Sequence, residues 1–341
     1  MKSKSPRSRA TGRVTLADVA ALAKVSPITV SRALRGERAV ASDLTERVKA
    51  AAQKLGYTPD PAARALASRH SDHVAVLIPM LSNNLFVDVL ESIQKTLRQA
   101  GYQSLIGITH YDTREEEQLL REQLQHRPAG ILVTGLDRSE AARTLIEKSG
   151  IPCVHMMELA QSVEVNSVGF SQIQAAVTLT EHLLQRGRQR IAFAAAQLDP
   201  RTLQRLDGWR KTLKAAKLYD KALTYTNKSP SSMALGGEML EHILAKDPKV
   251  DAIFFCNDDL AQGALLAAQR LKLRVPQQLA IVGFNDLTGS DLIGPGLTTI
   301  RTPRAAIGQA AAQMLLALMR HEDVAIPSVD VGYELMVRGS S

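Results

Sequence analysis

From His73 onward the chain repeats one pattern: a short, uninterrupted apolar run, then a longer stretch with apolar residues at helical spacing. VAVLIP at 74–79 precedes a helix, FVDVLESIQKTLRQAG, closed by Gly101. Runs at 103–108 and 129–134 alternate with helices from Glu115 to His126 and Ala141 to Gly150, and IPCVHM ends this first series. A second series starts near Ser171. Its helices, at 172–186, 203–216, 235–245 and 259–270, alternate with RIAFAAA, LTYT, AIFFCN and LAIVGF. Strands apolar on both faces belong to a parallel sheet covered by helices on both sides. Two such series predict an α/β body of two doubly wound parallel sheets. Ligands bind these sheets at the carboxyl ends of the strands, so two lobes place a ligand in the cleft between them, which a hinge can close.

The charge sits elsewhere. The net charge is +8, yet residues 1–70 hold 14 Lys or Arg against 5 Asp or Glu, and the remainder 28 against 29. A small basic head on a neutral body points to a polyanion, against the plainer reading of a solubilising tail. Residues 1–13 have no apolar period and read as a flexible basic arm. Residues 14–58 read as three helices. The first opens on Thr15-Leu-Ala-Asp18, which resembles a capping box with Asp in place of Glu. Ser26 caps the second, with Pro27 at its first position, and the third runs from about Asp43 to Leu55 and ends at Gly56. Two short helices, a tight turn and a supporting helix make a helix-turn-helix; a three-helix bundle that touches no DNA is the alternative. The second helix would enter the major groove with Pro27, Ile28, Thr29, Ser31 and Arg32 outward. Arg32 can reach guanine O6 and N7, and Ile28 a thymine methyl. Thr15, Ser26, Thr29 and Ser31 suit phosphate oxygens.

The residues themselves resemble a family. Thr15-Leu-x-Asp-Val-Ala20, Val25-Ser26, Thr29-Val-Ser-Arg32, Gly56-Tyr57 and Pro59 are similar to the signature of LacI/GalR repressors. Lys24 departs from it, since many members carry Gly or Asn there; the side chain is expected to face solvent, with little consequence. The likeness continues through Asn166-Ser-Val-Gly-Phe170, Gly208-Trp209, Cys256-Asn-Asp-Asp259, Ile281-Val-Gly-Phe284 and Leu297-Thr-Thr-Ile300. It implies a two-lobed core like that of periplasmic sugar-binding proteins over 71–341, with an N-lobe of about 71–170 and 303–327 and a C-lobe of about 171–302 and 328–341. It further implies a homodimer on a pseudo-palindromic double-stranded operator. The chain stops at MVRGSS with no added heptad segment, so a tetramer is not expected. Residues 59–70 form the expected hinge helix and linker. Pro61 can start a helix, but about seven residues are too few to hold one alone. By the resemblance, Leu66 and its twin wedge the minor groove; packing of Leu66 on the body is the alternative.

The resemblance also assigns the cleft. Arg205, four residues before Trp209, matches an arginine that clamps ligand hydroxyls. Asn257 and Asp258 match a cleft Asn-Asp pair, and Phe170 an aromatic lining position. Asn285 stands where many sugar and purine sensors carry Asp, and Arg304 where some members carry an apolar residue. Arg201 lies one helical turn before Arg205 and shares its face. For Arg201 and Arg304 the alternative is an ion pair at the surface or between lobes. Ser82, Asn84 and Phe86, just past the first strand, complete the expected effector set.

No phosphate-binding loop, nucleophile elbow, HExxH or clustered Cys/His spacing is present. His155-x-x-Glu158 is two residues, not a metal site, and Asp258-Asp259 reads as hydroxyl-binding beside a helix cap rather than as an acid–base pair. No enzyme activity, cofactor or metal is expected; sugar turnover and a transport-associated binding protein are the rivals. Two cysteines without a CxxC pair, no secretory signal and no membrane-spanning apolar stretch predict a reduced, cytoplasmic setting with no membrane partner. PMLSNNLFVDVLESI, EVNSVGFSQIQAA, CNDDLAQGA and Thr302-Pro-Arg304 are similar to repressors of gluconate and 2-ketogluconate use. The expected effector is therefore a six-carbon sugar acid, 2-ketogluconate or gluconate, that releases DNA; a neutral hexose or pentose is favoured if Arg201 and Arg304 point outward. Arg32→Ala is expected to cost roughly 1–3 kcal/mol in operator binding and to relax base choice at one position per half-site. An equal loss on every DNA sequence in a titration would exclude base reading.

Overall fold

The computed structural model describes residues 14–34, 40–58, 71–81 and 84–341, in two compact units that divide after His70. The basic arm, the expected hinge helix with Leu66, and Ser82 lie outside the described residues.

Among its described residues the first unit has three helices: α1 (Leu16–Ala23), α2 (Pro27–Leu34) and α3 (Ser42–Leu55). Thr15 caps α1 in both directions, because its backbone N–H donates to Asp18 at 2.8 Å and its hydroxyl accepts the Asp18 N–H. The shorter acid completes the capping box. Lys24 ends α1 in the left-handed region, at φ 53°. Lys24 is exposed, as expected from the sequence, but its departure from Gly or Asn also carries backbone strain on the order of 1 kcal/mol. Ser26 accepts the Thr29 N–H at 3.2 Å at the start of α2. Val19, Ala20 and Ala23 meet Val30, Ala33, Val48, Ala51 and Ala52 in the unit's own core.

The second unit holds two six-stranded sheets. The first contains β1 (His73–Ile78), β2 (Gln103–Ile108), β3 (Gly130–Thr134), β4 (Cys153–Met156) and β5 (Ser167–Gly169), in the order β11-β5-β4-β3-β1-β2, where β11 is Ser328–Asp330. The second contains β6 (Ile191–Ala195), β7 (Thr224–Thr226), β8 (Ala252–Phe255), β9 (Ala280–Asn285), β10 (Thr298–Arg301) and β12 (Glu334–Met336), in the order β12-β10-β9-β8-β6-β7. Only β12 runs antiparallel, against β10. The helices α4 (Asn84–Gln99), α5 (Thr113–Gln125), α6 (Glu140–Ser149) and α11 (Arg304–Met319) go with the first sheet. With the second go α7 (Gln172–Gln185), α8 (Pro200–Ala215), α9 (Met233–Lys246) and α10 (Asp258–Arg270).

The chain passes between lobes three times, at 170–171, 302–303 and 331–333. The last passage was expected at 327/328. Ser328 instead still pairs with Ser167, so 328–330 belong to the first lobe. Three residues at a sheet edge carry too little periodicity to reveal their partner.

Helices pair through glycines. A Cβ on Gly236 of α9 would lie 2.0 Å from the Leu260 carbonyl of α10, and one on Gly263 of α10 would lie 1.8 Å from the Met233 carbonyl of α9. Gly208 meets Ile173 of α7, and Gly308 meets Val89 of α4, in the same way. Helix propensity alone favours Ala over Gly by about 1 kcal/mol. Gly263→Ala is nevertheless expected to lower the denaturation midpoint, with a net loss of about 1–3 kcal/mol from overpacking. A stabilised variant in urea unfolding would contradict this helix contact.

Candidate functional site

In the first unit Ile28 is 66% exposed. Pro27 and Arg32 are also exposed on α2, while Thr29 and Ser31 are half-buried beside them. Thr15 and Ser26 are exposed at the two helix starts, and each is already a cap. The outward face of α2 thus carries a long cation and an apolar tip above a helix seated on Val30 and Ala33.

In the second unit the strand ends of both lobes meet around a polar cleft. Met80, Leu85, Phe86 and Tyr111 line it from the first lobe; Gln197, Asp199, Arg201, Thr202, Arg205, Ser231, Asn257, Asp259 and Asn285 line it from the second. Arg205 is the buried cation at its floor. Its Nε donates to Gln172 Oε1 at 2.9 Å and its Nη1 to the Cys256 carbonyl at 2.6 Å. The guanidinium lies 3.8 Å above the Phe284 ring. All these partners are neutral, and no carboxylate pairs with Arg205 among the described residues. Burial is the main force on this guanidinium and lowers its proton affinity.

Arg201 is placed differently. Burial opposes its charge too, but Asp199 and Glu158 outweigh it and raise its proton affinity, with Tyr111 and Asp137 adding to them. Asp199 is 3.1 Å away, Glu158 3.3 Å and Asp137 3.7 Å. Glu158 and Asp137 belong to the first lobe, so Arg201 lines the cleft and ties the lobes together. Tyr111 stands beside it, its hydroxyl pushed up to about 12 by burial and by Asp199.

Asn257 caps α10, accepting the Leu260 N–H and the Ser231 hydroxyl on Oδ1. Its amide nitrogen is what it can offer the cleft. Asn285 ends β9 at φ 112° and accepts the Thr302 hydroxyl.

The comparisons agree with both units. The family model for bacterial regulatory proteins of the lacI family matches residues 15–60, and that for a periplasmic binding protein-like domain matches 180–341. The HTH-type transcriptional regulator GntR of Pseudomonas aeruginosa is 54% identical over 334 residues, covering 98% of this chain and 97% of its own. The chain belongs to the lacI family. It is a DNA-binding transcriptional repressor with a two-lobed α/β body. Among solved structures, the regulator GntR from Chromobacterium violaceum is 48% identical with a TM-score of 0.78, over 79% of this chain and 99% of that one. A lac repressor dimer bound to operator and the anti-inducer ONPF is 26% identical with a TM-score of 0.84, over 96% and 99%.

In this lacI-family repressor the cleft gathers Phe86, Arg201, Arg205, Asn257 and Asn285 from the expected set. Four expected members lie elsewhere. Asp258 is fully buried and turned away: Leu287 N–H and the Ser290 hydroxyl bond one oxygen, and the Thr299 hydroxyl bonds the other. Asp259, one residue on and 100° around the helix, faces the cleft instead. Phe170 is buried at a lobe passage, stacked on Phe284 at 6.3 Å and against Tyr333 at 5.9 Å. Asn84 is exposed at the start of α4. Arg304 lines a separate groove with Asp88. Its Nε donates to Asp88 at 2.6 Å and its Nη1 to the Asn285 and Asp286 carbonyls, so it joins the lobes outside the cleft.

Sequence reasoning passed over Tyr111, Gln197, Asp199, Thr202 and Ser231, and weighed Asp259 beside Asp258 without including it in the effector set. All of them lie just past the carboxyl end of a strand, or one turn into the following helix, and the strand-end rule would have collected them. His155 is a structural residue. Arg138 donates to its Nδ1 at 2.7 Å, and burial, with Arg138 beside it, pushes the imidazole down to about 4. Among the described residues no group of three or more His, Cys, Asp or Glu could hold a metal, and no helix is long and apolar enough to cross a membrane.

Burial raises the Asp258 carboxyl from 3.8 to about 6, against the pull of its hydrogen bonds from Thr299, Leu287 and Ser290. The folded state therefore holds this proton more tightly than the unfolded chain does. Its contribution to stability is full below 3.8 and fades as the pH climbs through about 6. Asp258→Asn is expected to flatten the decline in urea midpoint between those values; an unchanged slope would show that another group titrates there.

Proposed function

We propose that this repressor binds a pseudo-palindromic operator as a homodimer, and that a six-carbon sugar acid in the cleft, 2-ketogluconate or gluconate, releases it. Thr15, Ser26, Thr29 and Ser31 meet phosphates; Ile28 and Arg32 read bases. A two-fold site requires two copies of the reading helix, which supports the dimer.

The observation that carries the effector reading is Arg205. A buried guanidinium whose partners are all neutral gains most from an anionic oxygen brought to it. The name GntR on the 54% identical relative fits a gluconate-class ligand. Asn257 and Asn285 would hold hydroxyls, now with Asp259, Asp199 and Ser231. Of the two further arginines on which the acid reading first leaned, Arg304 lies outside the cleft, and Arg201 already has three carboxylates, so it can meet an acid only by giving one of them up. That surplus of carboxylates favours a second reading, a neutral hexose or pentose.

Calorimetry on the purified chain separates the two. Gluconate and 2-ketogluconate are expected to bind more tightly than glucose. Arg205→Ala is expected to weaken the acid by about 2–3 kcal/mol, the range for a lost charged hydrogen bond. Tighter binding of glucose, or acid binding that survives Arg205→Ala unchanged, would decide for the neutral sugar.

A further inference from the structure

Glu158 follows β4 at its carboxyl end and is 4% exposed. Its backbone is pinned: Met157 sits at φ 77°, and a Cβ on Gly169 would come 2.3 Å from the Glu158 nitrogen. Its side chain reaches across to the other lobe. One oxygen accepts Arg201 Nη1 and the Leu136 N–H, each at 3.3 Å; the other accepts the Gln204 side chain at 2.5 Å. Arg201 and Gln204 are three apart on α8 and so share a face. The next residue on that helix is Arg205.

Arg201 is oversupplied. Besides Glu158 it has Asp199, the cap of its own helix, and Asp137. The distances of 3.1–3.7 Å are long beside the 2.7–2.9 Å of a good charge-assisted bond. An acid entering this cleft cannot simply add a fourth carboxylate, because like charges at close range repel strongly where water is scarce. It must replace one. Asp199 belongs to the same lobe as Arg201 and is also held by the Arg201 N–H and the Thr202 hydroxyl. Glu158 belongs to the opposite lobe, and its exchange alters the tie between lobes.

We propose that Glu158 is an internal stand-in for the effector's acid group: a sugar carboxylate held by Arg205 brings its second oxygen to Glu158's place on Arg201, and that exchange unfastens α8 from the first lobe. Glu158 keeps the Leu136 N–H and swings off the guanidinium, while Arg201 stays neutralised by Asp199 and the ligand. A neutral sugar has no group to exchange, so Glu158 makes the cleft's response selective for acids. This inference rests on the sugar-acid reading above.

Glu158→Gln in the full chain tests it, with gluconate and glucose as calorimetric probes, thermal unfolding as the control for folding, and operator binding by anisotropy. Gluconate is expected to bind about tenfold more tightly than to the unaltered chain, with glucose unchanged, and to shift operator affinity less. Gluconate affinity unchanged or weakened in a folded variant would overturn the exchange and leave Glu158 a structural tie. Should Glu158→Gln fail to fold, Asp137→Asn carries the test, with about threefold tighter gluconate expected and no change overturning it. If the unaltered chain binds no sugar acid, the effector reading itself falls, and the exchange with it.

Discussion

One guanidinium without an acid of its own organises the effector half of this repressor. Arg205 is held by an amide oxygen, a backbone carbonyl and the face of Phe284. Each partner comes from a different element: Gln172 opens α7, Cys256 follows β8, and Phe284 lies in β9. A buried cation lowers its cost through hydrogen bonds and an aromatic face, and those fix three elements to α8. What remains unmet is charge. That unmet charge lies at the floor of a cleft that both lobes line.

Charge is handled in opposite ways a few residues apart. Arg205 has neutral partners, while Arg201 has more acids than it can use. The first leaves a cation without an acid at the cleft floor; the second ties the lobes together across it. Arg304 repeats the second at the far side, where it donates to Asp88 and to the carbonyls of Asn285 and Asp286. Residues 285 and 286 both lie at positive φ, which turns β9 sharply and presents those carbonyls to Arg304.

The alternation of apolar runs showed the body's architecture, because strands buried on both faces need no partner to be recognised. The edge strands β11 and β12, and β5 beside β11, have three residues each, below the length at which a period exists. Helix spacing correctly placed Arg201 and Arg205 on one cleft-facing side. It could not show that Glu158 and Asp137, from another lobe, meet Arg201 there, since nothing in spacing encodes contacts across lobes. The Asp258-Asp259 pair shows the same limit on a smaller scale. Two identical neighbours at a helix start differ only in helical phase, and the phase sends one to the cleft and the other to the 287–290 loop. In the head, the caps at Thr15, Ser26 and Gly56 each followed from a residue type at a fixed offset, so their geometry could be read directly, whereas the left-handed cap at Lys24 carried no such signal.

The three lobe passages lie close together, with Phe170 against Phe284 and Tyr333 and with the Val331 N–H on the Gly169 carbonyl. Three short flexures set side by side bend readily about one axis and resist twisting about any other. Such a body has in effect a single soft degree of freedom. An occupant that touches both lobes acts first along that coordinate. Ligands of different shape should therefore differ in how far they drive it, and not in which direction.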